Sequence, residues 1–120
     1  MRRRKLLIAD DSEMNRAILA NVLDQEFEVI EATNGQEVII ALQSYGTQIS
    51  ALLLDIVMPE MDGFEVLEEM NRRHWIEDIP TIMISAETSN TYIDRAFELG
   101  ASDYISRPFV PGIVRRRIIN

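Results

Sequence analysis

Short apolar runs alternate with amphipathic stretches along the whole chain. Runs at 5–10, 27–32, 49–55, 81–85 and 103–105, typified by Leu6-Leu7-Ile8 and Leu52-Leu53-Leu54, are short and suited to burial on both faces, so they predict strands. Between them, apolar residues fall at helical spacing. Stretch 13–25 sets Met14, Ala17, Ile18 and Val22 on one stripe, 36–45 contributes Ile39, Ile40 and Leu42, and 63–72 contributes Phe64, Leu67 and Met70. Stretch 90–99 offers Ile93, Ala96 and Phe97 with Gly100 as its C-terminal stop, and 111–119 starts with Pro111 at a first-turn position.

Strand and helix in strict alternation predict an α/β domain: a doubly wound parallel sheet with right-handed crossovers and helices on both faces. In such sheets ligands bind beyond the carboxyl ends of the strands, where the strand order reverses. Asp10 and Asp11 end or follow the first run, Asp55 closes the third and Ser85 the fourth. Each acid alone reads equally well as a helix cap or a solvated strand end. Four polar groups from three strands at one sheet edge read as a site.

Three carboxylates held together repel one another, so they share a proton or gather a cation. All-oxygen ligands favour a hard ion such as Mg²⁺, which keeps waters and takes one or two carboxylates plus a phosphate oxygen. A further carboxylate is then free to act as a nucleophile. Pro59 holds Met58 extended, which helps fix the loop beside Asp55.

Composition narrows the classes. A chain of 120 residues with 47% hydrophobic content, 5 glycines and 4 prolines suits one globular domain. The absence of cysteine excludes disulfides and thiolate metal sites and is compatible with the cytoplasm, the expected location. No apolar run approaches the ~18 residues that span a bilayer, so no membrane segment is expected. Of the 12 basic residues, seven lie in Arg2-Arg3-Arg4-Lys5 and Arg115-Arg116-Arg117, leaving positions 6–114 with all 20 acids against five arginines. Such an acidic body disfavours direct nucleic-acid binding. The basic clusters read either as an electrostatic contact or as a solvated strand start and helix face.

The ordered set Asp10-Asp11, Asp55-Ile56-Val57-Met58-Pro59 with Asp62-Gly63, Ser85-Ala86-Glu87, Gly100-Ala101-Ser102-Asp103-Tyr104-Ile105 and Pro108-Phe109 resembles the receiver domain of two-component response regulators, over essentially the whole chain. The resemblance implies a (βα)5 flavodoxin-like fold with strand order 2-1-3-4-5. It also implies Asp55 as phosphoacceptor, and Mg²⁺ held by Asp10, Asp11, Asp55 and the backbone carbonyl of Val57. Ser85 then hydrogen-bonds the phosphoryl group, and Tyr104 is the aromatic switch. The implied partners are a sensor histidine kinase and a C-terminal output domain or partner protein. The face of the fourth helix, fifth strand and fifth helix is the implied signalling surface and the candidate homodimer surface. Catalysis is limited to the domain's own phosphorylation and dephosphorylation.

One position departs from the family pattern, which has lysine before the Pro-Phe pair where this chain has Arg107. Lys5 is the only lysine and is expected at the opposite end of the first strand, so Arg107 is the expected phosphate contact. A planar guanidinium is a non-conservative stand-in for a compact ammonium at a tight site. The family also places a cis peptide before that proline. Val57 has no group to bond a hydrolytic water, whereas Glu87 is positioned by sequence near the pocket mouth, so slow to moderate self-dephosphorylation is expected. His74, the only histidine, reads as a surface residue, which removes an internal phosphohistidine relay.

Other classes fit less well. A haloacid-dehalogenase-type phosphatase needs a second Asp where Val57 stands. An FMN module needs a glycine- or hydroxyl-rich phosphate loop where Asp10-Asp11 would repel phosphate. A receiver-like interaction domain that works without phosphorylation, because of Arg107, is the remaining alternative. The final stretch lacks a clear C-cap, so the helix is expected to continue toward an output domain, with a stand-alone receiver as runner-up.

Overall fold

The computed structural model describes residues 4–86 and 89–119. Five strands, β1 Arg4–Ala9, β2 Phe27–Ala32, β3 Ile49–Leu54, β4 Thr81–Ser85 and β5 Asp103–Ser106, alternate with α1 Glu13–Leu23, α2 Gly35–Tyr45, α3 Gly63–Arg72, α4 Asn90–Glu98 and α5 Pro111–Ile119. All neighbouring strands pair in parallel, in the order β2-β1-β3-β4-β5. The reversal after β1 leaves a crevice at the carboxyl ends of β1 and β3.

Period-two alternation divides the core. Leu6, Ile8, Leu53, Ile82 and Ile84 face α1 and α5, where they meet Leu19, Leu23 and Val114. Leu7, Ala9, Leu52, Leu54 and Met83 face the opposite layer, with Val38 and Leu42 of α2, Leu67 and Met70 of α3, and Ala96 of α4. Leu6, Leu7 and Ile8 are fully buried, which is why β1 reads as an unbroken apolar run.

Helix ends follow their capping residues. Ser12, Asn34, Asp62 and Ser89 each accept a backbone N–H of the first turn, and Asp62 forms a reciprocal capping box with Glu65. Gly100, with φ 101°, follows α4 in the left-handed region, as its predicted role as a stop requires.

The buried face of three helices differs from expectation. In α1, Met14 is 72% exposed, and Ala17 and Ile18 also face outward; Leu19 and Leu23 are the buried pair. Arg16 lies on the same inward side: its Nη1 donates to the carbonyl of Asp10 at 2.8 Å and its Nε to Glu31 Oε1 at 3.0 Å. Positions 16, 19, 20 and 23 share one helical stripe, and burying Leu19 and Leu23 with Ala20 packed beside them turns that stripe toward the sheet. In α2, Val38, Ile39, Ala41 and Leu42 are buried and Ile40 is exposed. In α4, the small Ala96 sits against the sheet while Phe97 is exposed and Ile93 only partly covered. Strands β1 and β3 each end one residue earlier than predicted. The ladder still extends one bond further in each: Asp10 N–H donates to Ala32 O at 3.1 Å and Asp55 N–H to Ala9 O at 3.0 Å.

Candidate acidic phosphoacceptor site

Those two ladder bonds position the site. They hold the backbones of Asp10 and Asp55 in register at the carboxyl end of adjacent strands, so the two side chains share one crevice. Asp10 and Asp55 are buried and Asp11 is exposed at the rim. One carboxylate oxygen from each of the three lies within 4.8 Å of the others. An all-oxygen, acidic donor set of this kind fits a hard divalent cation such as Mg²⁺.

Burial pushes the Asp55 carboxyl up to about 6, with Asp10 and Asp11 adding to the rise and Arg107 and the Val57 backbone N–H opposing it. Asp10 is held at both oxygens. Oδ1 accepts the Ser12 N–H at 2.9 Å, and Oδ2 accepts Nη2 of Arg107. The other guanidinium nitrogen, Nη1, lies 3.4 Å from Asp55 Oδ2. Arg107 therefore spans two of the three carboxylates, and its Nε is buried with no hydrogen-bond partner among the described residues. The Arg107-Pro108 peptide is cis.

The loop after β3 is fixed by close approach. A Cβ on Gly63 would stand 2.4 Å from the Asp55 carbonyl oxygen and 2.8 Å from Ile56 Cα, so only glycine lets α3 start against the strand end. The Gly63 N–H donates to Ile56 O at 2.7 Å, closing the loop.

Ser85 is buried at the end of β4, opposite Ser106, and its carbonyl accepts the Arg107 N–H at 2.9 Å. Tyr104, half-buried in the middle of β5 opposite Met83, packs against the core layer that includes Ala96 rather than lying among the carboxylates. Val57 is exposed just beyond Asp55. Glu87 lies outside the described residues. Lys5 pairs with Glu28 at 2.8 Å at the amino end of β1, remote from the site. His74 is exposed, 3.6 Å from Glu77.

The basic clusters are partly engaged within the chain. Arg115 pairs with Glu26, and Arg117 grips both Asp103 oxygens at 2.9 Å; Arg2 and Arg3 lie outside the described residues.

Three supports went unread in the sequence: Ser12, which orients Asp10 while capping α1; Arg16, which holds the Asp10 carbonyl; and the close packing of Gly63. Ser12 before a helical stretch is a visible cap signal. For Arg16 the only hint was an isolated cation in an acidic body.

Comparison with known proteins agrees with this geometry. A family model described as "Response regulator receiver domain" matches residues 6–119. The response regulator RR06 of Streptococcus pneumoniae is 40% identical over 114 residues, 94% of this chain and 50% of that protein. The transcriptional regulatory protein SrrA of Staphylococcus aureus is 39% identical over 116 residues, 95% of this chain and 46% of its own length. The chain thus spans about half the length of these curated relatives. Among solved structures, the Vibrio cholerae chemotaxis protein CheY4 superposes with a TM-score of 0.88 at 26% identity, covering 98% of this chain and 97% of that one. CheY in the CheX-CheY-BeF3-Mg²⁺ complex of Borrelia burgdorferi gives 0.86 at 29% identity, covering 96% and 86%. The strand order, the acidic crevice and the match along nearly the whole chain place this protein in the response regulator receiver domain family of two-component systems.

Proposed function

We propose that this domain accepts a phosphoryl group on Asp55 from the phosphohistidine of a sensor kinase and relays the change to an output domain or partner. The observation that carries this reading is the convergence of Asp10, Asp11 and Asp55 with Arg107 in one crevice. A deprotonated Asp55 oxygen attacks phosphorus, the P–N bond of the donor breaks, and its electron pair stays on the imidazole nitrogen. Asp10, Asp11, Asp55 and the Val57 carbonyl would hold Mg²⁺, which when bound neutralises the negative charge gathered at the transferred group.

Arg107 supplies a second, protein-borne positive charge for the phosphoryl oxygens, and the Ser85 hydroxyl supplies a donor from β4. A new charge of about −1.5 to −2 at Asp55 draws both toward it, and β4 and β5 carry the displacement to Tyr104 and the α4-β5-α5 face. An apolar groove of about 610 Å³ beside the site, lined by Ile18, Ala86, Arg107, Pro108 and Phe109, offers a protein donor a place to rest.

The double length of the curated relatives supports an output segment beyond this domain, and the acidic body supports leaving any DNA contact to that segment. No described helix is long and apolar enough to cross a membrane, and the cytoplasm is the compartment where such a kinase would meet it. The alternative of an interaction domain working without phosphorylation gives no role to the retained carboxylates and Ser85.

The test is intact mass after incubation with Mg²⁺ and acetyl phosphate, for the native chain and Asp55→Asn. A phosphoryl-sized gain that requires both Mg²⁺ and Asp55 is expected. No gain, together with no binding of a beryllofluoride mimic, would favour the interaction domain.

A further inference from the structure

We propose that Phe64 is a positioning residue, the movable end of a latch that holds α4 against α3 and ties it to the loop after Asp55. The latch itself stands on contacts in the unmodified chain; its role in passing on a change at Asp55 rests on the proposed function.

Helix α4 has little hold on the sheet. Ala96 is its one buried residue, Ile93 is only partly covered and Phe97 is 45% exposed. What grips it is α3, at both ends. The buried Phe64 ring meets Tyr92 edge to face, with centroids 5.5 Å apart and planes at 60°. The Arg95 guanidinium covers the same ring, its Cζ 4.5 Å from the centroid, and its Nη2 lies 3.8 Å from Glu68 Oε2, one turn along α3. At the far end Asn71 Nδ2 donates to Leu99 O at 2.6 Å and to Leu67 O at 2.8 Å.

The two ends differ in what they feel. Phe64 directly follows Gly63, which packs on the Asp55 carbonyl and whose N–H donates to Ile56 O at 2.7 Å, so a shift of that loop moves the ring. Leu99 lies at the opposite end of α4, next to Gly100 with its φ of 101°, and serves as the pivot. A cavity of about 350 Å³ lined by Ile56, Val57, Met58, Phe64, Tyr92 and Arg95 gives the start of α4 room to swing. This route runs through helix α3, apart from the one proposed for Ser85 and Tyr104 through β4 and β5.

Hydrogen exchange of the unmodified chain tests the contact. Phe64→Leu keeps an apolar side chain and removes the ring; Arg95→Met keeps the ring and removes the charge. Each should speed exchange of the α4 amides from Ile93 to Glu98 by about five- to tenfold, with β1 and β3 amides as the reference for global unfolding. The double variant should fall short of the product of the two single effects, because both act on one ring. Arg95 is half exposed, so its variant stays informative even where Phe64→Leu fails to fold.

A merely structural contact would end there. With Mg²⁺ and a beryllofluoride mimic, NMR shift changes at Thr91 to Arg95 should shrink in both variants while those at Ser85 and Tyr104 persist. Unchanged α4 exchange in a folded Arg95→Met chain would overturn the latch, and undiminished shift changes at Thr91 to Arg95 would overturn its part in the relay. No shift change anywhere in the native chain would overturn the proposed function, and the relay with it.

Discussion

The backbone N–H of Arg107 donates to the carbonyl of Ser85 at 2.9 Å, fastening the end of β5 to the end of β4. The two residues proposed to meet the phosphoryl group are thereby joined through main chain, so a pull on either is felt by both strands. Ser85→Ala keeps that bond and removes only the hydroxyl. The expected result is Asp55 modification with acetyl phosphate retained within about tenfold. The change in NMR shifts at Tyr104 on phosphorylation should shrink; an undiminished response there would show that the hydroxyl carries none of the signal.

The nucleophile should titrate in an accessible range. Burial lifts Asp55 to about 6, and as the proposed nucleophile it would attack only in its ionised form. Without saturating metal, the initial rate of modification by acetyl phosphate should fall about tenfold per unit below pH 6 and level off above it. A bound cation favours the carboxylate, so raising Mg²⁺ should move the midpoint downward. A rate flat from pH 5 to 7 in low Mg²⁺ would contradict the buried, proton-holding carboxyl.

The same shift has a stability consequence with a definite sign. Between about pH 4 and about 6 the native state retains a proton that the unfolded chain has lost, so metal-free stability declines as pH rises through that window and is constant above it. Asp55→Asn removes the buried charge. It should stabilise the metal-free chain by about 2–3 kcal/mol at pH 7.5, with the gain fading as pH is lowered toward about 4. Urea unfolding of both chains at the two pH values measures this.

Gly63→Ala probes the seat of the phosphoacceptor loop. A methyl group 2.4 Å from the Asp55 carbonyl forces α3 away from the strand end. The expected cost is about 1–3 kcal/mol, and thermal unfolding with intact-mass phosphorylation should show stability and Asp55 modification falling together.

The phase of α1 separates two substitutions of similar chemistry. Leu19→Ala should cost about 2–5 kcal/mol, since Leu19 is buried, whereas Met14→Ala, at a side chain 72% exposed, should change stability by less than about 0.5 kcal/mol. Comparable losses in denaturant melts would restore the stripe suggested by sequence spacing alone.

What was legible along the chain was whatever periodicity and turn chemistry encode locally. The order of elements, the carboxylates at strand ends and the Gly100 stop all belong to that class. The orientation of α1 was not legible, because its inward stripe includes Arg16, which meets the Asp10 carbonyl and Glu31, partners contributed by other elements. Nor could spacing show that Arg107 would lie across Asp10 and Asp55, since residues far apart in sequence meet only after β1, β3 and β5 are in place. Ile40 and Phe97 carry the same lesson: an apolar residue at helical spacing states a preference, and the helix's neighbours decide which side they cover.

Asp10 and Asp55 hang one residue beyond β1 and β3, held by ladder bonds to Ala32 and Ala9. Because β1 and β3 are central strands, the reactive pocket exists only once the middle of the sheet has closed. A nascent or misfolded copy presents three scattered aspartates with no shared crevice. Under the proposed function, competence to be charged would thus be a certificate of completed folding, and immature copies would stay silent without any separate quality check.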